Sequence, residues 1–152
     1  MEIHVYDRNL KRLGHIENHT SLQWHRKYYE CGTFELHCPV TAENLRLLQP
    51  GNIITKGDNK QEAAVIRGDQ AEEESTLVNE ITRNGYFLPV YLGDRLTGPL
   101  FNFNGTVEDA MHFMLNRMEK IPLLQIGADT GDKTKVQNNK TPPATALRWL
   151  GE

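Results

Sequence analysis

The feature that most constrains the fold is the segment of residues 21–40, SLQWHRKYYECGTFELHCPV. Its side chains alternate in character with period two on both sides of a central break, which is typical of half-buried β-strands. The break contains Gly32, which adopts turn conformations without steric cost. We therefore expect strands over residues 21–29 and 34–38, joined as a hairpin. Pro39 should end the ladder, because proline has no N–H to donate.

Trp24 and Phe34 are among the largest apolar side chains of the chain, and the alternation places Trp24 on the same side as Leu22 and Tyr28. We expect Trp24 to point into the core, where the facing strand adds Phe34 or Leu36. Replacement of a core Trp24 by alanine should cost about 3–5 kcal/mol. A surface, ligand-stacking tryptophan would lose only about half a kcal/mol.

Composition excludes several classes of protein. The chain has 152 residues and a formal charge of -3, with no basic block, so the electrostatic footprint of a nucleic-acid binder is missing. No apolar run approaches the ~20 residues of a membrane span, and the N-terminus has no apolar signal region. Cys31 and Cys38 are the only cysteines. We expect both to be reduced thiols in a cytosolic setting.

The remaining strands are short and separated by polar connectors. Predicted strands cover residues 2–6, 10–16, 52–56, 63–67, 76–82, 100–103 and 123–126. Asn84-Gly85 is a strong turn signal. Residues 86–96 should form a packed loop with at most one turn of helix, since Pro89 and Gly93 interrupt any longer helix. Residues 127–140 are polar and are expected to be mobile.

Three helices are predicted. Thr41 is a good N-cap for a short helix that Pro50-Gly51 ends. Thr106 and Asp109 have capping-box spacing and begin the clearest helix, which has an apolar stripe at helical spacing. Residues 144–150 should form a short amphipathic helix after Pro142-Pro143. Taken together, these patterns predict a mostly-β domain with one good helix.

No catalytic, cofactor-binding or metal-binding residues emerge from motif spacing. The six histidines form no HxxxH or HxH pattern. His25 and His37 could meet across the hairpin, but no carboxylate or thiol completes a site. Ser21 and Ser75 lack a GxSxG context, Cys31 lacks a protease-like signature, and no phosphate-binding glycine motif occurs. The residues therefore favour a structural or binding protein over an enzyme.

A resemblance to a known family adds to this interpretation. The chain resembles the siphovirus tail proteins grouped as gene-product-thirty-seven-like, from phages and prophages of Gram-positive bacteria. The match covers roughly the first hundred and twenty residues and rests on distributed structural positions. These are Val5-Tyr6-Asp7, Ser21-Leu22, Trp24, Arg26, Tyr28-Tyr29-Glu30, Gly32-x-Phe34-Glu35-Leu36, Asn44, Leu47-Leu48, Gly51-Asn52, Gly105-Thr106-Val107-Glu108 and Met111.

The resemblance implies a non-catalytic component of a tail tip or baseplate hub in the virion, made in the bacterial host cytoplasm. It implies a mainly β, α+β protein: a small antiparallel β-barrel over residues 1–100, then an α+β segment over residues 101–152 that is part of a second domain. Partners would be other copies of the chain, as a trimer, and neighbouring tail proteins. Family chains tend to be longer, so this chain could be a truncated or compact version.

Two alternatives belong to other functional classes. One is a cell-wall hydrolase attached to the tail, which would carry a glutamate or a Cys-His pair in a cleft. The other is a carbohydrate-binding module for host attachment, which would use exposed aromatic side chains such as Tyr28, Tyr29, Tyr86 or Tyr91. Aromatic side chains buried in the core would argue against the second alternative.

Overall fold

The computed structural model describes residues 1–57, 62–69, 80–94, 101–117, 124–125 and 127–141. The chain divides into two compact units, residues 1–88 and residues 89–152. The division of the sequence at residue 100 stays a prediction. The predicted helix over residues 144–150 and the acidic Glu72-Glu73-Glu74 run lie outside the described residues.

The first unit is a seven-stranded antiparallel sheet with one short helix. Its elements are β1 Ile3–Tyr6, β2 Arg12–Ile16, β3 Ser21–His25, β4 Thr33–Pro39, α1 Ala42–Leu47, β5 Ile53–Lys56, β6 Ala63–Asp69 and β7 Glu80–Phe87. The strand order is β2-β1-β5-β6-β7-β4-β3. The predicted hairpin is therefore present as β3 and β4, although β3 ends at His25 rather than at Tyr29.

The sheet is not closed into a barrel, which corrects that part of the sequence-based expectation, whereas the α+β class is confirmed. Among the described residues β2 pairs with β1 and β3 pairs with β4, so these two strands are the edges of the sheet. Helix α1 lies against β2. A Cβ at Gly14 would stand 3.1 Å from Leu47, so the helix covers apolar surface at this end of the sheet.

One face of the sheet carries the core. Ile3, Val5 and Ile16 come from the β1–β2 ladder, and Leu47 and Leu48 come from the helical segment. Further buried members from β4 to β7 are Phe34, Leu36, Cys38, Ile54, Ala64, Ile66 and Ile81. Burial of several large aliphatic side chains, each worth about 1.5–3 kcal/mol, makes this cluster the main source of stability for the unit.

Helix α1 begins and ends as the sequence predicts. The Thr41 hydroxyl accepts a hydrogen bond from the Asn44 backbone N–H at 3.0 Å, which is an N-cap. At the other end, the Leu48 carbonyl accepts a bond from Nε of the buried Arg83 side chain at 2.9 Å. A backbone carbonyl at the helix end thus receives a charged donor from β7.

The predicted turn at Asn84-Gly85 is wrong, because both residues lie inside β7. Gly85 pairs with Phe34 on one side and with Ile66 on the other. A Cβ at this position would overlap the Val65 carbonyl oxygen and approach the Phe34 ring. Glycine is required here by close packing rather than by a turn conformation.

The second unit contains α2 Val90–Gly93, β8 Phe101–Thr106, α3 Val107–Arg117 and β9 Lys135–Thr141. Strands β8 and β9 form an antiparallel pair. The packed loop predicted over residues 86–96 is wrong at Tyr86 and Phe87, which lie in β7, whereas its one turn of helix after Pro89 is present as α2. The expectation of mobility over residues 127–140 is wrong from residue 135 onward, where β9 pairs with β8. Leu124 and Gln125 have no regular structure, so the predicted strand over residues 123–126 is not present in its described part.

Helix α3 has the predicted capping box. The Asp109 backbone N–H donates to the Thr106 hydroxyl at 3.1 Å, and the Asp109 carboxylate accepts from the Thr106 N–H at 3.2 Å. Ala110 and Met114 of the apolar stripe are buried, and Phe113 packs against Phe103 with ring centroids 5.4 Å apart. No helix in the described ranges is long and apolar enough to cross a membrane.

Candidate functional site

The best-defined exposed feature of the first unit is the β3–β4 loop, residues 26–32. Its root is Trp24, which lies half-buried against the core. The Trp24 ring centroid is 5.9 Å from that of Phe34 and 4.7 Å from that of Phe87. The ladder pairs Trp24 with Phe34 and Leu22 with Leu36, so the predicted facing residues are confirmed.

Glu62, the residue that precedes β6, holds this root through its side chain. Its carboxylate accepts hydrogen bonds from Trp24 Nε1 at 3.2 Å and from Arg26 Nη2 at 2.9 Å. The Arg26 bond is the main cause that lowers the pKa of Glu62, and the Trp24 bond adds to it against a partial desolvation. Lys56 Nζ lies 5.7 Å from the Trp24 ring centroid, within the range of a cation–π contact.

The tip of the β3–β4 loop carries Tyr28 and Tyr29, which are 91% and 75% exposed. Their rings meet edge to face, with centroids 4.7 Å apart. Lys27 Nζ lies 2.8 Å from a Glu30 carboxylate oxygen, and this hydrogen-bonded ion pair lowers the pKa of Glu30. Because the pair is exposed, solvent screens it and its contribution to stability is small.

The C-terminal end of the β3–β4 loop is hydrogen-bonded to β7. The Phe87 backbone N–H donates to the Gly32 carbonyl at 2.9 Å, and the Cys31 thiol donates to the Phe87 carbonyl at 3.1 Å. A Cβ on Gly32 would come within 2.8 Å of both the Phe87 ring and the His25 carbonyl oxygen. The two tyrosines therefore project from a base that is fixed on both sides.

The predicted meeting of His25 and His37 does not occur, because the register pairs His25 with Thr33 and His37 with Ser21 at opposite ends of the ladder. His37 Nε2 lies 2.7 Å from Glu35, and its Nδ1 lies 3.2 Å from the Thr82 hydroxyl. Both ring nitrogens are thus engaged, and neither is left to take a proton from Ser21.

Both cysteines are free thiols in the structure. Cys38 is fully buried in the ladder, and burial raises the pKa of its thiol to about 11. Cys31 is half-buried at the return of the loop. A thiol with a raised pKa is a poor nucleophile, so Cys38 serves as a small apolar core residue.

Comparison with known protein families matches residues 2–151 of the chain to the family described as siphovirus ReqiPepy6 Gp37-like protein. The chain belongs to this family. The match extends through both compact units and bears out the resemblance seen in the sequence. Membership indicates a phage structural protein that associates with other phage proteins in the virion. No curated protein matches the chain.

In this Gp37-like protein, the aromatic side chains divide between two surroundings. Trp24, Phe34 and Phe87 pack at the core, whereas Tyr28, Tyr29 and Tyr86 are exposed, the last at 44%. Sequence alternation identified Trp24 and Phe34 correctly, whereas Phe87, predicted in a packed loop, lies in β7. The role of Glu62 had no sequence signal, because its contacts reach across 36 and 38 positions of the chain.

Proposed function

We propose that this Gp37-like protein is a non-catalytic structural component of the tail tip or baseplate hub of a siphovirus or prophage. It assembles there with itself and with neighbouring tail proteins, after synthesis in the host cytoplasm. The observation that carries this proposal is the family match over residues 2–151, which extends through both compact units.

The sheet edges support a role in assembly. Strand β3 lies at one edge and has five residues, none of them fully buried. An edge strand presents unpaired N–H and C=O groups that can accept a strand from another chain. A ring of copies joined through such edges, a trimer by the family resemblance, would satisfy these groups.

The hydrogen bonds of His37 support a non-catalytic role. A general base needs a ring nitrogen within hydrogen-bond reach of the proton that it removes. His37, which the ladder places beside Ser21, uses both nitrogens for Glu35 and Thr82. These two contacts make His37 part of a hydrogen-bond network on the surface of the sheet.

Electron microscopy of virions that carry a gold-labelled copy of the chain tests the proposed location. We expect label at the distal end of the tail tube. Label confined to the capsid, or virions without label, would contradict the tail assignment. A label on an unrelated capsid protein of the same phage is the control for gold access.

Light scattering after size exclusion tests assembly through β3. Gln23 lies on β3 opposite Glu35. Gln23→Lys therefore places on the edge a charge that disfavours pairing with another strand. Within the sheet, the lysine forms an opposite-charge cross-strand pair with Glu35. We expect the wild-type chain to form trimers and this variant to stay monomeric at equal concentration. The matched control is Gln125→Lys, at an exposed position without regular structure. Trimers of Gln23→Lys would argue against the β3 edge.

A second candidate function is binding of host carbohydrate, favoured by the exposed Tyr28–Tyr29 pair. Aromatic faces beside charged groups suit sugar rings, which present both C–H and hydroxyl groups. Pull-down with purified host cell walls measures this. Binding that is lost in a Tyr28→Ala, Tyr29→Ala variant would support the carbohydrate function, and clearing in a cell-wall zymogram would instead favour a hydrolase.

A further inference from the structure

Two histidines and two glutamates gather on the β1–β2 ladder, at the opposite edge of the sheet from the β3–β4 loop. His4 and His15 are direct partners in the antiparallel register, next to the Ile3–Ile16 pair. Because side chains alternate between the faces of a strand, Glu2 shares a face with His4, and Glu17 shares that face with His15. We call these four residues the cross-strand cluster.

The distances within the cross-strand cluster are those of a set of metal ligands. His15 Nε2 lies 3.3 Å from Glu17 Oε1, and His15 Nδ1 lies 3.8 Å from Glu2 Oε1. One ligand atom from each of Glu2, His15 and Glu17 can be chosen so that all lie within 4.8 Å of one another. Ligands at about 2.0–2.1 Å from a tetrahedral zinc ion stand roughly 3.3 Å apart. The two carboxylates contact different nitrogens of the His15 ring. Because one metal ion binds only one of these nitrogens, side-chain rotation must bring both carboxylates to the same one.

One side of the cross-strand cluster is buried and the other is exposed to solvent. The His4 side chain is 6% exposed, and its Nε2 lies 3.1 Å from Glu2 Oε1. The side chains of His15 and Glu17 are 46% and 74% exposed. A carboxylate that binds a metal is usually hydrogen-bonded by a neighbouring group that orients it, and His4 is placed to do this for Glu2. The exposed side gives solvent ions access.

The cross-strand cluster carries two carboxylates. One of them is faced by the Arg12 guanidinium, whose Nη2 lies 3.4 Å from Glu2 Oε1. Arg12 is 51% exposed at its side chain, so it can swing into solvent. A divalent ion would take over its role at Glu2 and would also neutralise Glu17.

We propose that Glu2, His15 and Glu17 bind one divalent cation of the zinc class, with His4 positioning the Glu2 carboxylate. One imidazole and two carboxylates form a mixed nitrogen and oxygen ligand set, which suits zinc and similar transition metals better than magnesium or calcium. Sequence motifs for metal sites consist of ligands that lie close together in one segment. A set that is assembled across a ladder escapes them.

Isothermal titration of the tag-free full chain with zinc chloride tests the site, with cobalt absorbance as a second readout. We expect one equivalent of zinc to bind and the thermal midpoint to rise. His15→Ala and Glu17→Gln should each weaken binding at least tenfold. His25→Ala, which removes an exposed histidine of β3, should leave affinity unchanged.

Arg12→Gln separates a metal site from a simple ion-pair network. If Arg12 competes with the cation for Glu2, its removal should tighten zinc binding several-fold. Circular dichroism of each variant checks that the sheet remains folded. Absence of one-to-one zinc binding would overturn the proposal, and so would unchanged affinity in both His15→Ala and Glu17→Gln, or equal affinity for magnesium.

Discussion

The β3–β4 hairpin carries aromatic side chains in two contrasting surroundings. In the ladder, Trp24 faces Phe34 and packs at the core, and Glu62 accepts the indole N–H. In the loop, Tyr28 and Tyr29 stand in solvent and contact each other. Similar residue types a few positions apart thus serve stability in one region and remain available for partners in the other. Which role a residue has depends on whether a facing strand is present.

The largest loss of stability should come from adding a side chain at Gly85, where close neighbours leave no room for a Cβ. We expect Gly85→Ala to destabilise the first unit by about 3 kcal/mol or more, because the added Cβ would overlap the Val65 carbonyl and crowd Phe34. Chemical denaturation measures the change. Gly127→Ala is the matched control, since nothing lies within 4 Å of a Cβ there. Equal stability of both variants would contradict the close packing at Gly85.

Removal of the aromatic root should have the next largest effect. We expect Trp24→Ala to cost about 3 kcal/mol, the lower end of the range for buried aromatic side chains, because the ring is half-buried. Trp24→Phe should recover much of the loss, since it keeps an aromatic ring at this position and gives up the bond to Glu62 and part of the indole packing. The urea midpoint reports both variants, and an unchanged midpoint in Trp24→Ala would refute core packing.

The two cysteines allow the ladder and the loop to be compared by chemical modification. Burial raises the pKa of the Cys38 thiol from its ordinary value of 9.0 to about 11, so its thiolate fraction at pH 8 falls roughly a hundredfold. We expect a thiol reagent to modify Cys31 first in the folded protein, and both residues in urea. Because thiolate increases up to the pKa, the Cys38 rate should rise about tenfold per pH unit between pH 8 and pH 10. Equal rates for the two thiols at pH 8 would be contrary to this expectation.

The smallest effect should come from the loop tip. Tyr28→Ala should change the free energy of unfolding by no more than about half a kcal/mol, because the side chain is 91% exposed. Denaturation beside Trp24→Ala measures the contrast between loop and ladder. A loss comparable to that of Trp24→Ala would mean that the tip supports the fold and is not reserved for partners.

The sequence alone determined the local elements whose signals lie within a few residues. Period-two alternation predicted β3 and β4 with either Phe34 or Leu36 facing Trp24, and the register settles this residue as Phe34. Thr41 and Thr106 predicted the starts of α1 and α3. The distributed family positions predicted the family itself. These predictions succeeded because the information is carried by backbone propensity, capping and side-chain alternation, which act over short separations.

Tertiary structure decided the rest. Asn84-Gly85 has the local preference of a turn, but contacts with Phe34 and Val65 place it inside β7. The sheet is open because β2 and β3 lie at its two edges, with α1 packed against β2. The cross-strand cluster depends on the register between β1 and β2. Each depends on which distant segments meet, and the free energy of those long-range contacts outweighs the local preferences that a single sequence displays.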